Sequence, residues 1–272
     1  IVGINNPGVT PEKMAYLFKN DSVHGKFKGK VIFTEDELII NNMVIKIFGC
    51  RNPEDIPWEE VSAEYICEST GLFRTFDTAS KHLLSGAKKV IISAPSKDED
   101  VPMFVMGVNQ EKYNPNMLVV SNASCTTNCL APLVKVLNAY FSIDEALMTT
   151  VHANTSTQPT VDGYPRGSSN MRIGRSMNNI IPTSTGAADA VGKVMPELQG
   201  KMTGLALRVP VSNVSIVDLT VRFHHDTTYE TIIQALKNES MTSLKGILAV
   251  EYESLVSQDF VHNSHSSIVD VN

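Results

Sequence analysis

The chain has 272 residues, of which 42% are hydrophobic and 19% charged, a composition typical of a globular protein with one large or two ordinary domains. A net charge of −6 argues against a nucleic-acid or anionic-membrane surface, and no apolar run reaches the ~20 residues of a membrane span. Four cysteines without zinc-ligand spacing favour a reducing compartment, so we expect a cytoplasmic protein without a structural metal.

The first half of the chain alternates short apolar runs with helical patterns. Strands are predicted at residues 1–5, 64–68, 89–93 and 117–121, helices at 10–19 and 77–85, and a hairpin within 31–47. This alternation is typical of a parallel sheet, in which ligands bind beyond the carboxyl ends of the strands. Small polar residues follow three strands: Asn5-Asn6, Ser69-Thr70-Gly71 and Ser93-Ala94. Together they indicate a nucleotide crevice, although each could serve only its own turn.

A cysteine stands where the last of these strands gives way to a helical pattern at residues 130–140. Cys125 lies in the nonapeptide Ser-Asn-Ala-Ser-Cys-Thr-Thr-Asn-Cys of residues 121–129. The free N–H groups and partial positive charge of a helix start stabilise a thiolate and a neighbouring oxyanion. Cys125 is therefore a candidate nucleophile for a carbonyl carbon. Cys129 is either its disulfide partner or, as helix geometry favours, a small buried hydrophobic side chain.

The second half carries longer alternating strands, at residues 147–151, 203–210, 215–222 and 247–251, with helices at 187–194 and 229–237. This pattern predicts a separate α+β domain with a mainly antiparallel sheet. A polar stretch of little periodicity lies between residues 152 and 178, and loops of that length are usually functional.

His152 is the best placed of the seven histidines to serve Cys125 as a base, because it directly follows a predicted strand. A neighbouring imidazole lowers the pKa of a thiol and shuttles protons. The alternative is a half-buried structural histidine. The remaining histidines lie in segments typical of surfaces or turns and receive no role: His24, His82, His224, His225, His262 and His265.

A second group of residues suits phosphate oxyanions. Hydroxyl groups, glycine N–H groups at a helix start and arginine are the usual partners of phosphate. The group consists of Thr155, Thr157, Ser184, Thr185, Gly186 and Arg208. Singly, each has a structural alternative: a helix cap, a strand-favouring threonine or a surface ion pair.

Taken together, these motifs resemble the glyceraldehyde-3-phosphate dehydrogenase family. The segment 121–132 is similar to its active-site signature, and further matches lie at residues 21–25, 68–71, 90–96, 149–153, 180–188 and 208–210. The resemblance implies an incomplete Rossmann-type dinucleotide-binding domain over residues 1–124. It implies an α+β catalytic domain with a mainly antiparallel sheet over residues 125–272.

The resemblance also implies a reaction: the NAD-dependent oxidative phosphorylation of glyceraldehyde 3-phosphate to 1,3-bisphosphoglycerate, in glycolysis and gluconeogenesis. Cys125 would form a thiohemiacetal and then a thioester, with His152 as its base. Thr155, Thr157 and Arg208 would hold the substrate's C3 phosphate, and Ser124, Thr126, Thr185 and Gly186 the attacking inorganic phosphate. The dinucleotide would contact Asn6, Arg51, Ser69, Thr70, Gly71, Phe73 and Ser93. The family's assembly implies a homotetramer.

Three departures from the family pattern carry expectations. The family's Gly-rich βα unit and its C-terminal segment are missing from these residues. We therefore expect a partial sequence, and an unstable, inactive polypeptide if these residues are made alone; turnover by that polypeptide would contradict this. Asn6 replaces a usual aspartate, so NADP should be accepted beside a preferred NAD. The loop 159–178 diverges, which leaves subunit contacts and the role of Arg175 open.

Two other functions remain open at this point. A dehydrogenase of another phosphorylated aldehyde, such as erythrose 4-phosphate, would keep the same phosphate residues. A non-catalytic paralogue with a binding or structural role would not need Cys125 and His152, and both are retained.

Overall fold

A computed structural model of the chain describes residues 1–156, 158–161, 172 and 175–272. They form two compact units: Ile1–Met103 with Tyr113–Ala123, and Phe104–Lys112 with Ser124–Asn272. No helix in the described ranges is long and apolar enough to cross a membrane.

The first unit is built from short strands and helices. Its strands are β1 Gly3–Asn5, β2 Asn20–Asp21, β3 Gly25–Lys26, β4 Val31–Phe33, β5 Glu37–Ile40, β6 Met43–Phe48, β7 Tyr65–Glu68, β8 Lys89–Ile92 and β9 Val119–Ser121. Its helices are α1 Pro11–Lys19, α2 Phe76–Ala79 and α3 Lys81–Leu84, with 3₁₀ turns at Pro53–Asp55 and Trp58–Val61.

Parallel pairing places the polar strand ends of this unit at shared sheet edges. Strand β1 pairs in parallel with β6, which continues through antiparallel β5 to β4. Strands β7, β8 and β9 form a second, wholly parallel sheet. Buried side chains such as Val90 and Ile92 fix β8 inside this unit. The residues after β1 and β6 therefore lie side by side, as do those after β7 and β8.

A cluster of buried side chains around the only tryptophan anchors this unit. Trp58 packs edge-on against Phe48, with ring centroids 5.8 Å apart. The cluster consists of Phe48, Ile56, Trp58, Ala63, Ile66 and Ala87. Because it joins the end of β6 to the middle of β7, it fixes the loops that follow both strands.

The second unit holds the longer elements. Its helices are α4 Cys125–Phe141, α5 Ala187–Val194 and α6 Tyr229–Met241, with 3₁₀ turns at Gln110–Lys112, Pro196–Leu198 and Ser257–Phe260. Its strands are β10 Ile143–His152, β11 Ile181–Thr183, β12 Met202–Arg208, β13 Ile216–Phe223, β14 Leu248–Glu251 and β15 Ser267–Asp270.

The main sheet of this unit has the order β11-β12-β10-β13. Its outer pairs are antiparallel, and the central pair of β10 with β12 is parallel. Ala146, Met148 and Thr150 of β10 are buried on one face. Gly204 of β12 is required there, because a Cβ at this position would lie 2.7 Å from the backbone oxygen of Met148.

The predicted fold class is confirmed: a unit of short helices and strands, in which β7, β8 and β9 are wholly parallel, is followed by an α+β unit whose main sheet is mainly antiparallel. The sequence pattern does not predict strands β11 and β15, because β11 is short and contains a proline and β15 has only two apolar residues between Ser267 and Asp270. The helix predicted at residues 77–85 consists of two short helices on either side of Ser80.

Residues 104–112 belong to the second unit, although the boundary predicted at 124/125 assigned them to the first domain. Gly107, at φ +84°, lies so close to Leu244 that a Cβ would stand 2.6 Å from its Cδ2. The Nζ of Lys135 in α4 donates a hydrogen bond of 2.6 Å to the Gly107 carbonyl. A contact between segments so distant in sequence leaves no local signal.

Most of the divergent loop 159–178 lies outside the described residues.

Candidate active site

Cys125 is the first residue of helix α4. Ser124 caps that helix in an extended conformation, and its Oγ accepts a hydrogen bond of 3.1 Å from the Thr127 amide. The Oγ also lies 2.7 Å from the Thr127 hydroxyl. This cap fixes the first turn, so the thiol stands at the helix N-terminus, where backbone N–H groups have no carbonyl partners from a preceding turn.

The thiol is paired with an imidazole. Sγ of Cys125 lies 3.4 Å from Nε2 of His152, and Cys125 is exposed. The hydrogen bond with His152 lowers the pKa of the Cys125 thiol to about 7; burial of the sulfur opposes this, and the Thr126 hydroxyl and amide assist. Near neutral pH a large fraction of this cysteine is therefore thiolate, which is the nucleophilic form.

The sheet register places an arginine beside this pair. His152 ends β10, Arg208 ends β12, and the two are direct partners in the parallel ladder. Nη1 of Arg208 lies 2.5 Å from Nδ1 of His152. The cysteine, the base and the cation come from separate elements, yet they are adjacent in this unit.

The carbonyl of Ala153 is shared by both side chains. It lies 2.8 Å from Nδ1 of His152 and accepts a hydrogen bond of 2.9 Å from Nη1 of Arg208. A guanidinium only donates, so Arg208 on Nδ1 requires a lone pair there. When Nδ1 instead donates to Ala153, Nε2 carries the lone pair that faces the thiol. The two contacts at Nδ1 therefore belong to different protonation states of the His152 ring, and only the one with Nδ1–H on Ala153 leaves Nε2 free to act as a base.

Ser215 is a supporting residue that the sequence did not reveal. Its Oγ accepts a hydrogen bond of 3.1 Å from the Ala153 amide. The Val209 amide donates a bond of 3.0 Å to the His152 carbonyl. Both backbone groups that flank the base are therefore fixed. A serine before a strand carries no signal for this role, because the contact spans 62 positions.

The remaining predicted phosphate residues occupy two places. Thr185 Oγ1 accepts a hydrogen bond of 3.2 Å from the Ala187 amide, and Gly186 is the N-cap residue of α5. Thr155 is exposed in the loop that follows β10, where its amide donates to Oε1 of Gln158 at 3.2 Å. Arg208 is half-buried, and burial lowers its pKa while the charge of Cys125 opposes the shift. Thr157 lies outside the described residues.

The predicted dinucleotide residues lie beyond the carboxyl ends of parallel strands in the first unit. Asn6, Arg51, Ser69, Thr70, Gly71 and Ser93 are exposed, and Phe73 is half-buried. Gly71 has φ +73° with nothing within 4 Å of a Cβ position, so backbone can approach a ligand closely there. Exposed amide, hydroxyl and guanidinium groups beside such a turn fit the ribose and phosphate groups of a dinucleotide.

Asn5 and Glu68 support these exposed residues from within. The Asn5 side chain exchanges two hydrogen bonds of 2.9 Å with the Cys50 backbone, which ties the segment before Arg51 to the segment before Asn6. Glu68 accepts a bond of 2.8 Å from the Thr70 amide. The signal for both was present in the sequence, as polar residues that end apolar strands.

Cys129 is half-buried, and burial raises the pKa of its thiol. A thiol with a raised pKa is mostly protonated near neutral pH, which suits the interpretation of Cys129 as a small packing side chain. Within the described ranges, no group of three or more His, Cys, Asp or Glu side chains could hold a metal ion.

Comparison with known proteins matches both units. A family profile described as "Glyceraldehyde 3-phosphate dehydrogenase, NAD binding domain" matches residues 1–76, and one described as "Glyceraldehyde 3-phosphate dehydrogenase, C-terminal domain" matches residues 124–272. The protein named "Glyceraldehyde-3-phosphate dehydrogenase, cytosolic" of Gracilaria gracilis is 55% identical over 271 residues, covering 99% of this chain and 80% of the relative.

Two further relatives agree. The protein of the same name from Pinus sylvestris is 55% identical over 273 residues, covering 99% of this chain and 79% of the relative. "Glyceraldehyde-3-phosphate dehydrogenase 2" of Mucor circinelloides f. lusitanicus is 56% identical over 271 residues, with the same coverage of 99% and 79%.

Proposed function

The chain belongs to the glyceraldehyde-3-phosphate dehydrogenase family, and we propose that Cys125 and His152 are the residues that carry out its chemistry. The protein is an NAD-dependent oxidoreductase that converts glyceraldehyde 3-phosphate and inorganic phosphate to 1,3-bisphosphoglycerate in glycolysis. It acts in the cytosol, as the names of its relatives state for those proteins. The observation that supports the catalytic roles best is the distance of 3.4 Å between Sγ of Cys125 and Nε2 of His152.

Cys125 attacks the aldehyde carbon as a thiolate. The S–C bond forms as the carbonyl π electrons move to oxygen, and protonated His152 donates a proton to that oxygen, which gives a thiohemiacetal. His152 then withdraws the hydroxyl proton while the carbon loses hydride and becomes a thioester. Bound NAD supplies the acceptor for that hydride. Inorganic phosphate attacks the thioester, the C–S bond breaks, and Cys125 leaves as the thiolate.

Arg208 binds the C3 phosphate of the substrate, with Thr155 and Thr157 as further partners. Its half-buried guanidinium is already held at the base by the Ala153 carbonyl. The start of α5, with Thr185 and Gly186, receives the attacking phosphate, and Ser124 and Thr126 flank the thiol. The dinucleotide binds at the exposed strand ends of the first unit: Asn6, Arg51, Ser69, Thr70, Gly71, Phe73 and Ser93.

Asn6 tunes the choice of cofactor. A neutral amide after β1 can accept a ribose hydroxyl, yet it does not repel a 2′-phosphate as a carboxylate would. We therefore expect NAD to be preferred and NADP to be used.

The exposed face of the main sheet supports assembly into a homotetramer. Leu147, Leu205 and Ile216 lie on this face and are 47%, 43% and 55% exposed. They belong to three adjacent strands, so exposed apolar side chains recur across this face, with threonines between them. A surface of this kind is typical of an interface between copies of a chain.

The test is a comparison of substrates and cofactors with the complete protein. We expect phosphate-dependent reduction of NAD with glyceraldehyde 3-phosphate, slower reduction of NADP, and much lower kcat/KM with erythrose 4-phosphate. Cys125→Ser should lose activity by at least about 10³-fold while it still binds NAD. Equal or better turnover of erythrose 4-phosphate would favour the alternative substrate, and an inactive wild type that binds ligands would favour a non-catalytic role.

A further inference from the structure

A chain of buried polar side chains runs through the first unit, apart from the catalytic cysteine. It links Trp58, His82 and Glu68, which are 5%, 3% and 4% exposed. The three residues come from a 3₁₀ turn, helix α3 and the end of β7. The sequence-based prediction that His82 is a surface or turn residue is wrong, because α3 turns it inward among these partners.

The hydrogen bonds of this chain have a defined direction. An indole Nε1–H can only donate, so Nδ1 of His82, at 3.1 Å from it, must accept. The ring proton therefore sits on Nε2, which donates to Oε2 of Glu68 at 3.1 Å. Trp58 thus fixes the His82 tautomer, and His82 fixes one oxygen of Glu68.

The other oxygen of Glu68 holds the turn that follows β7. Oε1 accepts a hydrogen bond of 2.8 Å from the Thr70 amide and another from the Thr70 hydroxyl. Thr70 Oγ1 in turn accepts a bond of 3.1 Å from the Leu72 amide. Burial raises the pKa of the Glu68 carboxyl, but the bonds from His82 and Thr70 outweigh it, so its pKa is lowered overall. The carboxylate is therefore charged when it orders this turn.

We propose that Trp58 and His82 are positioning residues that act through Glu68 to preform the turn 69–72 for the dinucleotide. No other step of the mechanism uses these side chains. A turn that is already ordered loses little conformational entropy on binding, so the affinity for the cofactor is higher. The inference rests on the proposed dinucleotide site, since Ser69, Thr70 and Gly71 belong to it.

Trp58→Phe and Glu68→Gln test the proposal in the complete protein. The first keeps an aromatic ring but removes the indole donor, and the second keeps the planar shape of the carboxyl group but removes its charge. We expect the KM and the directly measured Kd for NAD to rise roughly tenfold in both, with a much smaller change in kcat at saturating NAD. Ile66→Val is the matched control, because it thins the same buried cluster without removing a polar group.

A spectroscopic measurement separates positioning from mere stability. The indole N–H of Trp58 gives a resonance in a ¹H–¹⁵N spectrum of the complete protein, and Trp58→Phe identifies that resonance by its loss. Thr70→Val should shift this resonance, although Thr70 reaches Trp58 only through Glu68 and His82. Ile66→Val should lower thermal stability and leave the Kd for NAD unchanged.

Different results would overturn the positioning role alone or the dinucleotide site as well. If wild type uses NAD but Trp58→Phe and Glu68→Gln keep its Kd, the positioning role is overturned and the dinucleotide site stands. The same conclusion holds if the Kd follows stability equally in all variants, Ile66→Val included. If wild type fails to bind NAD, both the proposed function and this inference are overturned.

Discussion

The protonation state of one thiol controls the reactivity of this site. The hydrogen bond with His152 lowers the pKa of the Cys125 thiol from its ordinary 9.0 to about 7, although burial of the sulfur opposes the shift. Because the lowered pKa belongs to the folded site, the thiolate fraction rises through pH 7 and falls as acid is added. The rate of alkylation of Cys125 should follow that fraction.

Replacement of the base tests this account. In His152→Asn, we expect the pKa measured from iodoacetamide alkylation to rise from about 7 towards the ordinary value of 9.0. Turnover at pH 7 should fall by about 10²–10⁴-fold, the usual contribution of a general base. His265→Asn is the matched control, because that side chain contacts Asn263 and not the thiol. An unchanged alkylation profile in His152→Asn would contradict the pairing.

Single residues also mark where sequence-based inference failed. Cys125 and His152 could be singled out because each follows a recognisable strand. His82 could not, because its burial depends on Trp58 and Glu68, which are 24 and 14 positions away. A histidine in a polar segment looks like a surface residue until its partners are placed.

At the scale of elements, the start of α4 couples helix stability to thiol chemistry. The Ser124 cap satisfies the Thr127 amide and so holds the first turn, from which the Thr126 amide and hydroxyl contact the thiol. Fraying of this turn would remove those contacts and the aligned N–H groups together.

Ser124→Ala is expected to cost about 1 kcal/mol of unfolding free energy and to raise the pKa of Cys125. Chemical denaturation and phosphate-free alkylation profiles measure the two effects. Thr228→Ala removes the corresponding cap of α6, where Thr228 Oγ1 accepts from the Thr231 amide at 3.3 Å. This control should lose similar stability and leave the thiol pKa unchanged. Equal thiol profiles in both variants would contradict the coupling.

The elements themselves were largely predictable. Strands β7 and β8 lie within one residue of their predicted bounds, whereas α4 begins five residues and β10 four residues before the predicted starts at 130 and 147. Strands β11 and β15 have three and four residues, and pairing with β12 and β14 defines them more than their composition does. The local sequence of such short strands does not favour an extended conformation strongly enough to reveal them, so only the pairing with a neighbouring strand defines them.

At the scale of the whole molecule, the exposed face of the main sheet carries apolar side chains that the second unit itself does not cover. The opposite face is covered in the same unit, where Met148 and Ala206 are buried. A monomer would leave Leu147, Leu205 and Ile216 in water, which association would avoid.

Leu205→Glu should convert the proposed tetramer into smaller species, because it places a charge at the centre of that face. Sedimentation equilibrium of the complete protein measures the mass. Val256→Glu is the control, since Val256 is 68% exposed in the same unit but lies outside the sheet. A tetrameric mass for Leu205→Glu would show that this face is not the interface.

The sequence by itself determined the fold class, the helix that presents Cys125 and the polar strand ends, because periodicity, capping and turn chemistry are local properties. It also carried the motifs that place the chain in its family. Only the tertiary structure decided which groups touch. The register that sets Arg208 beside His152, the carbonyl of Ala153 that both share, and the buried path from Trp58 to Thr70 all depend on contacts between distant segments, which no local pattern encodes.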